Sequence, residues 1–193
     1  MKIALMAGHA RVSEGAVVCA GYYEDFGEHA LARHYLPGVR DNMVALGHEV
    51  VLTHREEAGG VSPSFSAKAA NAAGVDIALE WHFNSAGPEV EGCEVLYWGS
   101  SVKGKRFAAL LSQRLARVLG VPNRGAKAIN SPDDRGFNAF KKSRMPFFIV
   151  EPCFAGSNEK EARVFGAAIH EGWWQVHAAR VVHETIADVY GKE

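Results

Sequence analysis

Short runs of aliphatic and β-branched residues alternate along this chain with longer runs whose apolar residues recur every three or four positions, and this alternation restricts the fold more than any other feature. The strand-like runs are Lys2 to Met6, His48 to Thr53, Val75 to Trp81, Glu94 to Trp98 and Pro146 to Val150. Leu31, Tyr35, Val39, Met43 and Leu46 mark one face of a helix that opens at Glu28 and stops at Gly47. Pro37 lies inside it and predicts a kink or a division, because proline removes a backbone donor. Pro63 opens an Ala-rich helix to Ala73, and Phe107, Leu110, Leu111, Leu115 and Leu119 predict another over Ser101 to Leu119. Ala162, Phe165, Ile169, Trp173, Val176 and Ile186 predict one amphipathic helix from Glu159 to Tyr190. Residues 10–27 read as a long loop, and residues 120–144, rich in Arg, Lys, Asp and Asn, as a second loop walling a groove. The expected fold is α/β, a single domain over residues 1–193, with a twisted, mostly parallel sheet and helices on both faces.

Charge and composition narrow the partners. Lys plus Arg number 21 and Asp plus Glu 22, so a net charge of -1 offers no electrostatic pull toward nucleic acid or an anionic membrane. No apolar run nears the roughly 18 residues of a membrane span, so no membrane insertion is expected. The three cysteines, Cys19, Cys93 and Cys153, form neither a disulfide framework nor a CxxC pair, which points to synthesis in a reducing compartment. The apolar run of Met1 to Ala7 is too short for a signal peptide, so synthesis in the cytoplasm without a leader is expected.

Functional groups in open α/β sheets gather beyond the carboxyl ends of the strands. The first strand runs into Gly8-His9, the strand at Val75 to Trp81 into His82-Phe83-Asn84-Ser85, and that at Pro146 to Val150 into Glu151-Pro152-Cys153. The first helix opens with Glu28. Two imidazoles and two carboxylates are the composition of a catalytic zinc site with His₂Glu ligation and a free glutamate as base. Such a site lowers the pKa of water toward about 7, and the free carboxylate carries its proton to the leaving nitrogen. Each residue also has a plainer explanation. His9 and His82 can be ordinary strand-end histidines, Glu28 a partner of its own helix dipole, and Glu151 the ion-pair partner of Arg135, Arg144 or a lysine. The other seven histidines (His29, His34, His48, His54, His170, His177 and His183) are expected to be structural or exposed, and Cys153 a buried free thiol.

Taken in order, Gly8-His9, Glu28, Gly47-His-Glu-Val-Val-Leu-Thr53, Ala70-Asn71, Ala78-Leu-Glu-Trp-His82-Phe-Asn-Ser85, Gly92-Cys-Glu-Val-Leu-Tyr97 and Met145-Pro-Phe-Phe-Ile-Val-Glu151 resemble the zinc-dependent N-acetylmuramoyl-L-alanine amidases of the type 3 family. The resemblance covers residue 3 to about 160 and implies a phosphorylase/hydrolase-like fold, Zn²⁺ as cofactor and peptidoglycan as substrate. It implies that His9, Glu28 and His82 are metal ligands and that Glu151 is the catalytic general base. Glu24 remains a second candidate for the carboxylate ligand, four residues before Glu28. The sequence departs from the pattern at Thr53-His54-Arg55, where one residue is inserted between Thr and Arg, and at Glu80-Trp81 before His82, a variant that resembles phage-type members. A phage or prophage endolysin, released to act at the cell wall and without a separate wall-binding module, is the expected role. Two alternatives stand beside it: another zinc amidohydrolase or carboxypeptidase, favoured if Arg124, Arg135 and Arg144 line the site, and a non-catalytic wall-binding domain. Trp81, Trp98, Trp173 and Trp174 are candidates for stacking on sugars.

Overall fold

The computed structural model describes residues 1–191. Its elements run β1 (Lys2–Ala7), α1 (Glu28–Ala45), β2 (Glu49–Leu52), one 3₁₀ turn (Glu56–Ala58), α2 (Pro63–Ala73) and β3 (Ile77–Trp81). Then follow β4 (Cys93–Trp98), α3 (Val102–Leu119), β5 (Asn123–Ile129), α4 (Phe137–Lys142), β6 (Phe147–Glu151), α5 (Glu159–His170) and α6 (Trp173–Tyr190). One sheet joins the described strands in the order β2-β1-β3-β6-β4-β5. β2, β1, β3 and β6 are parallel, whereas β4 runs antiparallel to β6 and parallel to β5.

Helices cover both faces. Alternate residues of β1, Ile3, Leu5 and Ala7, enter the larger apolar layer beneath α1, α3, α5 and α6. Ala4 and Met6 enter the smaller one beneath α2 and α4. The chain leaves β1 over one face to reach β2 and returns over the other to β3, so the strand order reverses around β1. A crevice opens at such a reversal, at the carboxyl ends of the strands.

Two expectations are corrected and a third, at Pro37, is narrowed. Residues 120–144 are not one loop, since they hold β5 and α4. β5 is an edge strand whose sequence, NRGAKAI, has one β-branched residue and a Gly125 at positive φ, so neither propensity nor alternation announces it. Pro37 does not divide α1. Arg33, whose carbonyl the proline cannot bond, lies on the exposed side, while Leu31, Tyr35, Leu36, Val39 and Met43 hold the buried side together. The long C-terminal helix is in fact two, α5 and α6, because Gly172 takes the left-handed conformation at φ 80 between them. That break resets the helical phase. Trp174 rather than Trp173 is the core residue, and Val176 is 49% exposed.

Candidate active site

His9 follows β1 through Gly8, whose missing side chain is required: a Cβ there would lie 2.3 Å from the His82 ring. His9 itself is left-handed at φ 57, a conformation that costs energy in a non-glycine residue and concentrates at functional sites. The turn is held from behind, because His29 Nδ1 donates to the Gly8 carbonyl at 2.9 Å and Arg11 N donates to Glu56 Oε1. His82 leaves the end of β3. Glu28 opens α1, and its Oε1 accepts from Ala16 N at 3.0 Å, which turns Oε2 toward both histidines. Glu28 does not cap its own helix. Glu14 does so, accepting from Ala30 N at 3.0 Å.

Glu28 Oε2 lies 2.9 Å from His82 Nδ1 and 3.2 Å from His9 Nε2. One donor atom from each of the three residues lies within 4.8 Å of the others. The two short separations approach the edge of about 3.3 Å that a tetrahedral shell with zinc-like bond lengths requires. Two imidazole nitrogens and one carboxylate oxygen therefore fit a metal ion, with one side facing the cleft. Burial favours the neutral form of Glu28, but hydrogen bonds from His82 and His9 hold its carboxyl down to about 2. His82, also opposed by burial, is pushed up to about 10 by Glu28 and Glu80. Glu80 precedes His82 by two residues and so shares its side of β3. Its Oε2 lies 3.5 Å from His82 Nε2, and its Oε1 accepts from Arg55 and from Ser66 Oγ.

Glu151 ends β6 across the same cleft, a hollow of about 550 Å³ also lined by Ser62 and Arg135. Burial pushes its carboxyl up to about 7, against the opposing pull of His82 and Arg135. Arg135 Nη1 lies 3.3 Å from Glu151 Oε1, and Glu151 Oε2 has no hydrogen-bond partner among the described residues. Arg135 is itself tethered, donating to Asn84 Oδ1 at 2.6 Å and to Glu94 Oε1 at 3.0 Å. Glu94 stands opposite Glu151 because β4 runs antiparallel to β6, which brings the start of β4 to the end of the sheet that carries the site.

The structure thus gathers His9, Glu28, His82 and Glu151 around one cleft, and Glu24 lies exposed beside Tyr22 and Arg163, away from it. Of the three arginines, Arg135 alone lines the cleft, and its charge already faces Glu94 and Glu151. Arg124 pairs with Glu94, and Arg144 lines a separate hollow with Lys68 and Lys142. Trp81 and Trp174 are fully buried, and neither Trp98 nor Trp173 lines the cleft. Cys153 is a buried thiol raised by burial. Glu80, Arg55, Asn84 and Glu94 are the participants that sequence reasoning passed over. The period of two between Glu80 and His82 was the signal available for one of them.

The profile of the N-acetylmuramoyl-L-alanine amidase family matches residues 3–179. No curated protein sequence matches the chain. Among solved structures, Cwp6 from Clostridium difficile is similar with a TM-score of 0.79 at 16% identity, covering 96% of this chain and 29% of that one. This chain therefore spans less than a third of Cwp6. The catalytic domain of CwlV, an N-acetylmuramoyl-L-alanine amidase from Bacillus (Paenibacillus) polymyxa var. colistinus, is similar with a TM-score of 0.74 at 21% identity, covering 100% of this chain and 99% of that one. The catalytic domain of the CD27L endolysin, which targets Clostridia difficile, is similar with a TM-score of 0.73 at 23% identity, covering 97% of each chain. At these identities the likeness is one of fold.

Proposed function

The chain belongs to the type 3 family of N-acetylmuramoyl-L-alanine amidases, and from that premise we propose that it hydrolyses the amide between N-acetylmuramic acid and L-alanine in peptidoglycan, with zinc as its metal. The observation that carries the proposal is the convergence of His9 Nε2, Glu28 Oε2 and His82 Nδ1 on one side of a cleft that Glu151 enters from another. His9, Glu28 and His82 would hold the zinc. When bound, the ion supplies Lewis acidity for the scissile carbonyl and for water. Glu151 holds and moves the proton: it accepts one from the attacking water and passes it to the departing nitrogen. Burial raises the Glu151 carboxyl above the usual carboxylate range, the direction that suits a group which takes up a proton and gives it back. Arg135 fixes the orientation of Glu151 through Oε1 and leaves Oε2 free to take the proton. Glycoside hydrolysis calls for a pair of carboxylates flanking an acetal. Here the carboxylates are divided between histidines and an arginine, which suits an amide.

We assign the cell wall as the site of action and a phage or prophage endolysin as the role. Support for that role comes from the Glu80-Trp81 pair before His82, which resembles that of phage-type members, on a fold that an endolysin catalytic domain also has. Digestion of purified peptidoglycan tests the activity. Free N-terminal alanine should appear without new reducing sugar ends, strong chelation should abolish its release, and Zn²⁺ should restore it. New reducing ends without new alanine amine would overturn the bond assignment, and full turnover in metal-free protein would overturn the zinc assignment.

A further inference from the structure

Glu80 is a fully buried carboxylate whose two oxygens have different surroundings. Oε1 accepts from Arg55 Nε at 3.1 Å, from Arg55 Nη2 at 2.9 Å and from Ser66 Oγ. Oε2 accepts from nothing among the described residues, and it faces His82 Nε2 at 3.5 Å. That nitrogen is also buried and also without a hydrogen-bond partner. Two unsatisfied atoms of complementary type therefore confront each other behind the ring of a candidate ligand. The ion pair with Arg55 does not account for this arrangement by stability, since burying two charges costs desolvation that their attraction often fails to repay.

The consequence falls on His82. A neutral imidazole carries one proton, and the nitrogen that keeps it cannot bind a metal. With the proton on Nδ1, His82 donates to Glu28 Oε2 at 2.9 Å, and the nitrogen needed for the ion is blocked. With the proton on Nε2, the Nδ1 lone pair points at the space shared with Glu28 and His9. A carboxylate opposite Nε2 favours the second arrangement, and makes Nδ1 a stronger donor to a cation.

We propose that Glu80 is a positioning residue for the metal site: anchored through Oε1 by Arg55 and Ser66, it holds the His82 proton on Nε2 and so presents Nδ1 to the ion. This rests on the zinc assignment above and adds to it a residue that touches neither ion nor substrate. Arg55 and Ser66 act through Glu80, since the inserted loop after β2 and the first turns of α2 bring them to the same buried oxygen.

Zinc affinity, measured by competition with a chromophoric chelator, tests the proposal without recourse to turnover. Glu80→Gln should bind Zn²⁺ about 10–100-fold more weakly than the wild-type chain. Because that variant leaves the Arg55 charge buried alone, the double variant Arg55→Gln/Glu80→Gln is measured beside it, with the melting temperature of each chelated protein as the check on folding. A positioning role requires the double variant to remain about 10–100-fold weakened even where its melting temperature recovers. The Co²⁺ absorption spectrum of both variants should also shift from that of the wild type. Wild-type zinc affinity in the single variant, or its return in the double variant, would overturn the proposal and leave Glu80 a counter-ion only. A wild-type chain that binds no zinc would overturn the metal assignment and this proposal together.

Discussion

Glu151 and Glu80 are both buried carboxylates at carboxyl ends of neighbouring strands, yet their surroundings separate them. Burial opposes the charge on both, but His82, Arg55 and Ser66 hold Glu80 down to about 2, whereas at Glu151 burial outweighs the pull of His82 and the half-exposed Arg135 and leaves the carboxyl near 7. One is an anchor and the other is suited to exchange a proton. Glu151→Gln should therefore keep its zinc and its melting temperature while turnover falls by about 10²–10⁴-fold; loss of the metal in this variant would make Glu151 a ligand instead. Gly8→Ala should have the opposite profile, with the metal lost first, because the added methyl group would occupy the space of the His82 ring at 2.3–2.4 Å. Metal content of the purified variant checks this. His9, His82 and Glu151 were legible in the sequence because each directly follows an apolar run that ends abruptly. Glu94 was not, because the start of a strand belongs to the functional end only when that strand runs backwards, and nothing local states direction.

The elements show the same division. Helices α1, α2 and α3 and strands β1 to β4 and β6 were legible because each carries a run of apolar residues at its own spacing, with a boundary marked by Gly47 for α1 and by Pro63 for α2. α5 and α6 were read as one because Trp173 and Val176 continue the apolar spacing of α5 across Gly172 in the sequence, although neither is a core residue of α6. A Cβ at that glycine would meet nothing within 4 Å, so Gly172→Ala tests backbone conformation alone. It should lower stability by about 1–2 kcal/mol, the usual cost of a left-handed L-residue, with zinc affinity and activity unchanged. Urea denaturation measures the first, and an unchanged midpoint would show that α5 and α6 can fuse without cost.

At the scale of the whole molecule, the site couples folding to pH and to metal. In chelated protein, Glu28 and Glu80 titrate near 2, below their unfolded values, so their contribution is present above about pH 4.5 and is lost as pH falls toward 2. His82 titrates near 10, above its unfolded value, so its contribution is complete below about pH 6.5 and is lost as pH rises through 10. Zinc must displace the His82 proton, so its affinity strengthens with pH. The rise in melting temperature on adding zinc should accordingly be larger at pH 8 than at pH 6, a trend that calorimetry at fixed zinc concentration can refute. The periodicities of the sequence determined a mostly parallel α/β sheet, and the residues at its strand ends determined which side chains could meet, because both are local properties of adjacent residues. Which of them do meet was decided by tertiary structure. Strand order, the reversal of β4, and the loop that turns Glu28 rather than Glu24 inward each depend on contacts between residues far apart in the chain, where burying a charge is tolerated only beside a partner that no local pattern names.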